Sequence, residues 1–99
     1  MSESQNQQNR IHARIEGAVQ GVGFRAFVEH YAASLGLKGW VRNRWDGSVE
    51  TVAEGDPRTL ERFLEALKRG PRSAHVTHVE VEWEQATGEF SSFTVRRTD

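Results

Sequence analysis

The residues best equipped for chemistry lie in one short run, Gly17-Ala18-Val19-Gln20-Gly21-Val22-Gly23-Phe24-Arg25. Glycine accepts φ > 0 and lets another group come close to the backbone. The first N–H groups of a helix have no partner inside it, and the helix dipole favours an anion there. A glycine loop that ends a strand and opens a helix therefore aims several free N–H groups at one point. Arg25, in the first turn of such a helix, adds a planar guanidinium fork suited to phosphate or carboxylate. The chemistry implied is capture of an anion, phosphate above all.

The flanking sequence supplies the elements this needs. Upstream, Ile11, Ala13 and Ile15 alternate with His12, Arg14 and Glu16, which predicts a strand over Arg10–Glu16 with one buried face. Downstream, Phe24, Phe27, Val28, Tyr31, Ala32 and Leu35 form one apolar stripe, predicting a helix over Phe24–Leu35 with Gly36 at its C-cap. Leu37–Asn43 and Ser48–Glu54 read as a hairpin turning at Asp46-Gly47. Asp56 and Pro57 open a second helix as N-cap and first residue. Leu60, Phe63, Leu64 and Leu67 give its buried stripe, and Gly70-Pro71 stops it. Val76–Glu84 alternates valines and Trp83 with glutamates, a one-faced strand, and Ser92–Arg97 is a short last strand. Arg96 and Arg97 would discourage pairing along that edge.

This order, β-α-β-β-α-β plus a terminal strand, predicts an α+β, ferredoxin-like sandwich. Two helices cover one face of a four- to five-stranded, mostly antiparallel sheet. His12, Arg14, Glu80 and Glu82 mark the other face as polar. Residues 1–9 read as a disordered polar tail and residues 10–97 as the single domain.

Composition removes several function classes. The chain has no cysteine, which excludes disulfides, a thiol nucleophile and cysteine-ligated metals. No run approaches the roughly 20 apolar residues of a membrane span, and no apolar signal segment is present, so a cytoplasmic protein is expected. The 13 Lys and Arg are offset by 14 Asp and Glu, which counts against nucleic acid as a partner. Arg25, Arg42 and Arg44 are a local positive excess expected near the cradle, pointing to a small anionic ligand. His12, His30, His75 and His78 show no metal-ligand spacing, and neither a Walker loop, a dinucleotide fingerprint nor a serine elbow occurs. Trp40, Trp45 and Trp83 could stack on bases but suit sheet packing better. A cofactor-free monomer is expected.

Taken singly, the glycine loop could be a tight connection, Arg25 could pair with Glu29 one turn on, and Asn43 could simply end a strand. Read together, Val19–Arg25 and Gly39-Trp40-Val41-Arg42-Asn43, followed by Gly47-Ser48-Val49 and Gly55, resemble the acylphosphatase family. The resemblance spans residues 10–97. It implies metal-free hydrolysis of acyl phosphates, carboxyl–phosphate anhydrides, with inorganic phosphate as product and competitive ligand. It implies that the backbone N–H groups of Gln20, Gly21, Val22, Gly23 and Phe24 wrap the phosphoryl oxygens. Arg25 then binds the phosphate, Asn43 holds the attacking water, Ser48 supports the asparagine, and Gly17 precedes the loop. Arg44 departs from the Thr or Lys frequent after that asparagine.

Two other readings carry less weight. The same motif pair opens the much longer hydrogenase-maturation carbamoyltransferases, which allows a non-catalytic phosphate-binding module; 99 residues with a polar tail favour the free enzyme. A ferredoxin-like RNA-binding module lacks its aromatic RNP motif here.

Overall fold

Seven elements follow the predicted order: β1 (Asn9–Ala18), α1 (Phe24–Ser34), β2 (Lys38–Asn43), β3 (Val49–Gly55), α2 (Pro57–Arg69), β4 (His75–Gln85) and β5 (Phe93–Val95). The computed structural model describes residues 7–99. Positions 1–6 of the expected polar tail lie outside them, and Asn9 already belongs to β1. The sheet runs β4-β1-β3-β2-β5, and every pairing is antiparallel except β2 with β5. This is the expected α+β architecture.

Strand alternation decides which face is covered. Ile11, Ala13 and Ile15 stand opposite Ala53, Thr51 and Val49 on β3, and opposite Trp83, Val81 and Val79 on β4. That face packs against Val28 and Ala32 of α1 and against Leu60, Phe63, Leu64 and Leu67 of α2. No helix of the described residues is long and apolar enough to cross a membrane.

Helix ends follow local chemistry. Asp56 caps α2 by accepting from the N–H groups of Arg58 (3.0 Å) and Thr59 (3.4 Å). α1 ends one residue earlier than its apolar stripe. Gly36 and Leu37 donate to the carbonyls of Ala33 (3.1 Å) and Ala32 (2.9 Å). This is a Schellman closure, with Gly36 left-handed at φ 71° just past the cap.

The first strand outruns the sequence expectation because of Gly17. The β1–β4 register shifts between Glu16 and Gly17, a bulge that carries pairing on to Ala18. Gly17 sits at φ 129°, and a Cβ there would lie 2.1 Å from the His75 carbonyl oxygen. Only glycine fits so close a crossing.

The uncovered face is polar and internally paired. Glu50, almost fully buried there, accepts from His12, from Arg42 Nε (2.8 Å) and from Arg44 Nη1 (3.1 Å). Burial alone would raise its pKa, but these donors outweigh burial and hold it below the usual glutamate value. Glu54 behaves alike. Burial opposes its ionisation, and the N–H groups of Thr87 (2.9 Å) and Gly88 (3.0 Å) overcome that. Trp40 lies on this face, with the guanidiniums of Arg42 and Arg96 over its ring at 4.8 and 4.7 Å from the centre.

Candidate active site

The glycine loop and the start of α1 line a cleft of about 350 Å³ that also takes in Asn43 from β2. α1 begins without a side-chain cap. Gly23 holds the N-cap position in the left-handed region (φ 78°, ψ 20°), and no acidic residue occupies the first turn. The first internal bond of the helix runs from the Phe27 N–H to the Gly23 carbonyl (3.0 Å). The N–H groups of Gly23, Phe24, Arg25 and Ala26 therefore have no helical acceptor. Gly21 is left-handed too, at φ 75°. A Cβ at either glycine would meet nothing within 4 Å, so backbone conformation rather than space demands glycine there.

Apolar anchors hold the loop between its glycines. Val19 and Phe24 are buried in the core, and Val22 packs against it. The Ser73 hydroxyl donates to the Val22 carbonyl at 3.0 Å.

Arg25 and Asn43 line the same cleft, although 18 residues separate them. Asn43 stands opposite Val49, whose side chain is fully buried, so it belongs to the helix-covered face of the sheet. Arg42 and Arg44 go the other way, to Glu50, and Arg42 also meets Asp99 at 3.1 Å. The expected cluster of three arginines near the cradle is therefore corrected to one. Pleating sends neighbouring strand residues to opposite faces. Arg25 itself makes no ion pair among the described residues, with Glu29 or any other carboxylate.

The Gln20 side chain has a task that sequence spacing does not announce. Its Nε2 donates to the carbonyls of Arg44 (2.7 Å) and Ser48 (2.8 Å). One amide thus ties the glycine loop to the hairpin that carries Asn43. The turn within that hairpin is closed by the Gly47 N–H on the Arg44 carbonyl (3.1 Å), with Gly47 at φ 95°. Ser48 donates its N–H (2.9 Å) and hydroxyl (2.6 Å) to Asp46 Oδ1 rather than to Asn43. These bonds hold the Asp46 pKa below the usual aspartate value. Asp99 adds a further clasp, donating to the Asn43 carbonyl and accepting from the Trp45 N–H, both at 3.1 Å. Of these contacts, only Asp46-Gly47-Ser48 carries a sequence signal, that of an Asx turn. Gln20, Ser73 and Asp99 reach partners 24 to 56 positions away in the chain, beyond any local pattern.

Uncapped amides, a guanidinium without a carboxylate among the described residues and a strand-end amide surround one cleft, an arrangement chemically suited to an anion. Comparison with known proteins gives the class its name. The acylphosphatase family model matches residues 11–95, and the chain belongs to that family of hydrolases. It is 50% identical over 90 residues to an acylphosphatase of Salinibacter ruber, covering 91% of this chain and 95% of that one. A crystal structure of acylphosphatase from Bacillus subtilis superposes with a TM-score of 0.86 at 39% identity, covering 89% of this chain and 98% of that one. Full-length HypF, in a phosphate- and nucleotide-bound form, matches at a TM-score of 0.84 and 29% identity. There the match covers 94% of this chain and only 12% of the longer one.

Proposed function

We propose that this chain hydrolyses acyl phosphates without a metal, by direct attack of water on phosphorus. The water oxygen forms a bond to phosphorus, the bond from phosphorus to the acyl oxygen breaks, and carboxylate and inorganic phosphate leave. A carboxylate is a good leaving group and needs little protonation. The enzyme's task is then to position the reactants and stabilise charge on the equatorial phosphoryl oxygens. The loop amides from Gln20 to Phe24 and the Arg25 guanidinium perform that stabilisation, preorganised before substrate arrives. Asn43 is neutral and accepts no proton at ordinary pH, so it orients the water by hydrogen bonds. Gln20 also holds the two halves in register through its side chain. Ser48 supports Asn43 indirectly, by fixing the turn through Asp46.

The observation that carries this reading is the shared cleft: Arg25 and the uncapped α1 terminus open onto the same space as Asn43. Purified protein in EDTA should hydrolyse benzoyl phosphate and acetyl phosphate and leave a phosphomonoester untouched. Inorganic phosphate should inhibit competitively. Absence of acyl phosphate turnover would refute the proposal. Phosphate binding without turnover would support the accessory-module reading, which the likeness to part of HypF keeps in view. The RNA reading fares worse, since Trp40 is buried and already carries the guanidiniums of Arg42 and Arg96 over its ring. We further propose a cytoplasmic monomer, in keeping with a cysteine-free chain; sedimentation equilibrium checks the oligomeric state.

A further inference from the structure

The phosphoryl group and the attacking water account for only part of the cleft lining. Beside Gly21, Gly23, Arg25 and Asn43, and the core residues Val19 and Phe24, the cleft is lined by Ala26, Glu29 and Val95. Positions 25 and 29 are one helical turn apart on the same side of α1, so Glu29 projects beside Arg25. Glu29 is exposed and makes no ion pair among the described residues. Val95, from β5, is 42% exposed, an apolar side chain left open beside a polar site.

We propose that Ala26, Glu29 and Val95 form the subsite for the acyl group, and that Glu29 selects against acyl groups carrying a second carboxylate. This rests on the acyl phosphate reading above. With the phosphoryl oxygens held by amides and Arg25, and the water by Asn43, the acyl chain leaves the phosphorus towards the exposed lining residues that hold neither. Ala26 and Val95 give a short aliphatic chain apolar contact. A carboxylate at the end of that chain meets a Glu29 carboxylate that no ion pair neutralises among the described residues, while the neighbouring Arg25 is engaged by the phosphoryl group. The preferred substrates are therefore phosphates of uncharged, short aliphatic acids. Repulsion between two partly solvated charges several ångströms apart corresponds to about a fivefold change in kcat/KM, weakened by salt.

Butyryl phosphate and succinyl phosphate test this, because they have similar chain length and differ by one carboxylate. The wild-type protein should prefer butyryl phosphate. Glu29→Gln should shrink the preference about fivefold, and Glu29→Lys should abolish or reverse it. Raising the ionic strength should narrow the wild-type ratio and leave the Gln variant nearly unaffected. The inhibition constant of inorganic phosphate separates the subsite from the cradle. A ratio that stays fixed in both variants overturns the proposal. So does a parallel change for both substrates that follows the phosphate constant, since Glu29 would then act on the phosphoryl group. A wild-type protein that hydrolyses neither substrate overturns the parent reading as well, and is recognised by the missing turnover of butyryl phosphate itself.

Discussion

The two helices of this protein begin in opposite ways. α2 starts with Asp56, whose carboxylate accepts from two first-turn N–H groups, and with Pro57, which has no N–H to satisfy. Its dipole is complemented at the far end by Lys68 and Arg69. α1 has a left-handed glycine in place of a capping side chain, no acid in its first turn and an arginine at its second position. One terminus answers its own unpaired donors; the other has no side chain that does so, as the proposed phosphate cradle requires. A capping residue contributes about 1 kcal/mol, so α1 forgoes stability of that order at its N-terminus. Side by side, the two ends contrast a helix start capped for folding with one that the proposed function uses for binding.

The largest expected effect comes from removing the charge at α1. Arg25→Ala should lower kcat/KM for benzoyl phosphate by more than about 10³-fold, because a bidentate charged donor exceeds a single neutral one. Asn43→Ala should lower kcat by about 10²–10³-fold. Both variants should unfold at the wild-type temperature, since neither side chain has a partner to lose in the described fold. Full activity in either would refute its assigned role.

Giving α1 a carboxylate of its own is the direct way to erase the contrast. Gly23→Asp should place that carboxylate at the N-terminus of α1, in a left-handed conformation that Asp tolerates better than most residues. Activity should fall by roughly 10²-fold, because the carboxylate repels the phosphoryl group at the terminus it needs. Inorganic phosphate should also stop raising the melting temperature, which calorimetry can follow.

The converse change at α2 should be small and purely structural. Asp56→Ala should cost about 1 kcal/mol, read as a lower urea midpoint, with kcat and KM unchanged. A loss of activity without loss of stability there would mean that the two termini are not separate in function.

Acid should act on the fold before it reveals anything about the cradle. Glu50 and Glu54 are both held below their usual value, since their hydrogen bonds outweigh burial. Their contribution to stability is complete above the unfolded value, near 4.5. It is lost as pH falls through the lower folded values. The urea midpoint should therefore be flat from pH 7 to about 5.5 and fall below about 4.5. Glu50→Gln should flatten that fall.

Much of the architecture is legible in the chain itself. Period-two alternation at Ile11, Ala13 and Ile15, and the three- and four-residue spacing at Leu60, Phe63, Leu64 and Leu67, announce the elements because burial imposes those periods. Asp56-Pro57 announces a helix start through chemistry confined to a few neighbouring residues. The α1 terminus was legible for the same reason, since Gly21, Gly23 and Arg25 are neighbours in sequence.

What local pattern could not provide is which distant groups meet. The Gly17 bulge depends on the approach of His75, and Gln20 depends on carbonyls of a hairpin that only folding brings within reach. Arg42 and Arg44 look like companions of Arg25 in the chain, yet Glu50 holds them on the opposite face of the sheet. The sequence by itself determined the residue types of the cradle and the elements around it. Only packing in three dimensions set Asn43 in the same cleft, let Gln20 join the two, and left Arg25 without a carboxylate partner among the described residues. The reason is physical. Periodicity reports which side of an element is buried, whereas a site is made by packing those sides together.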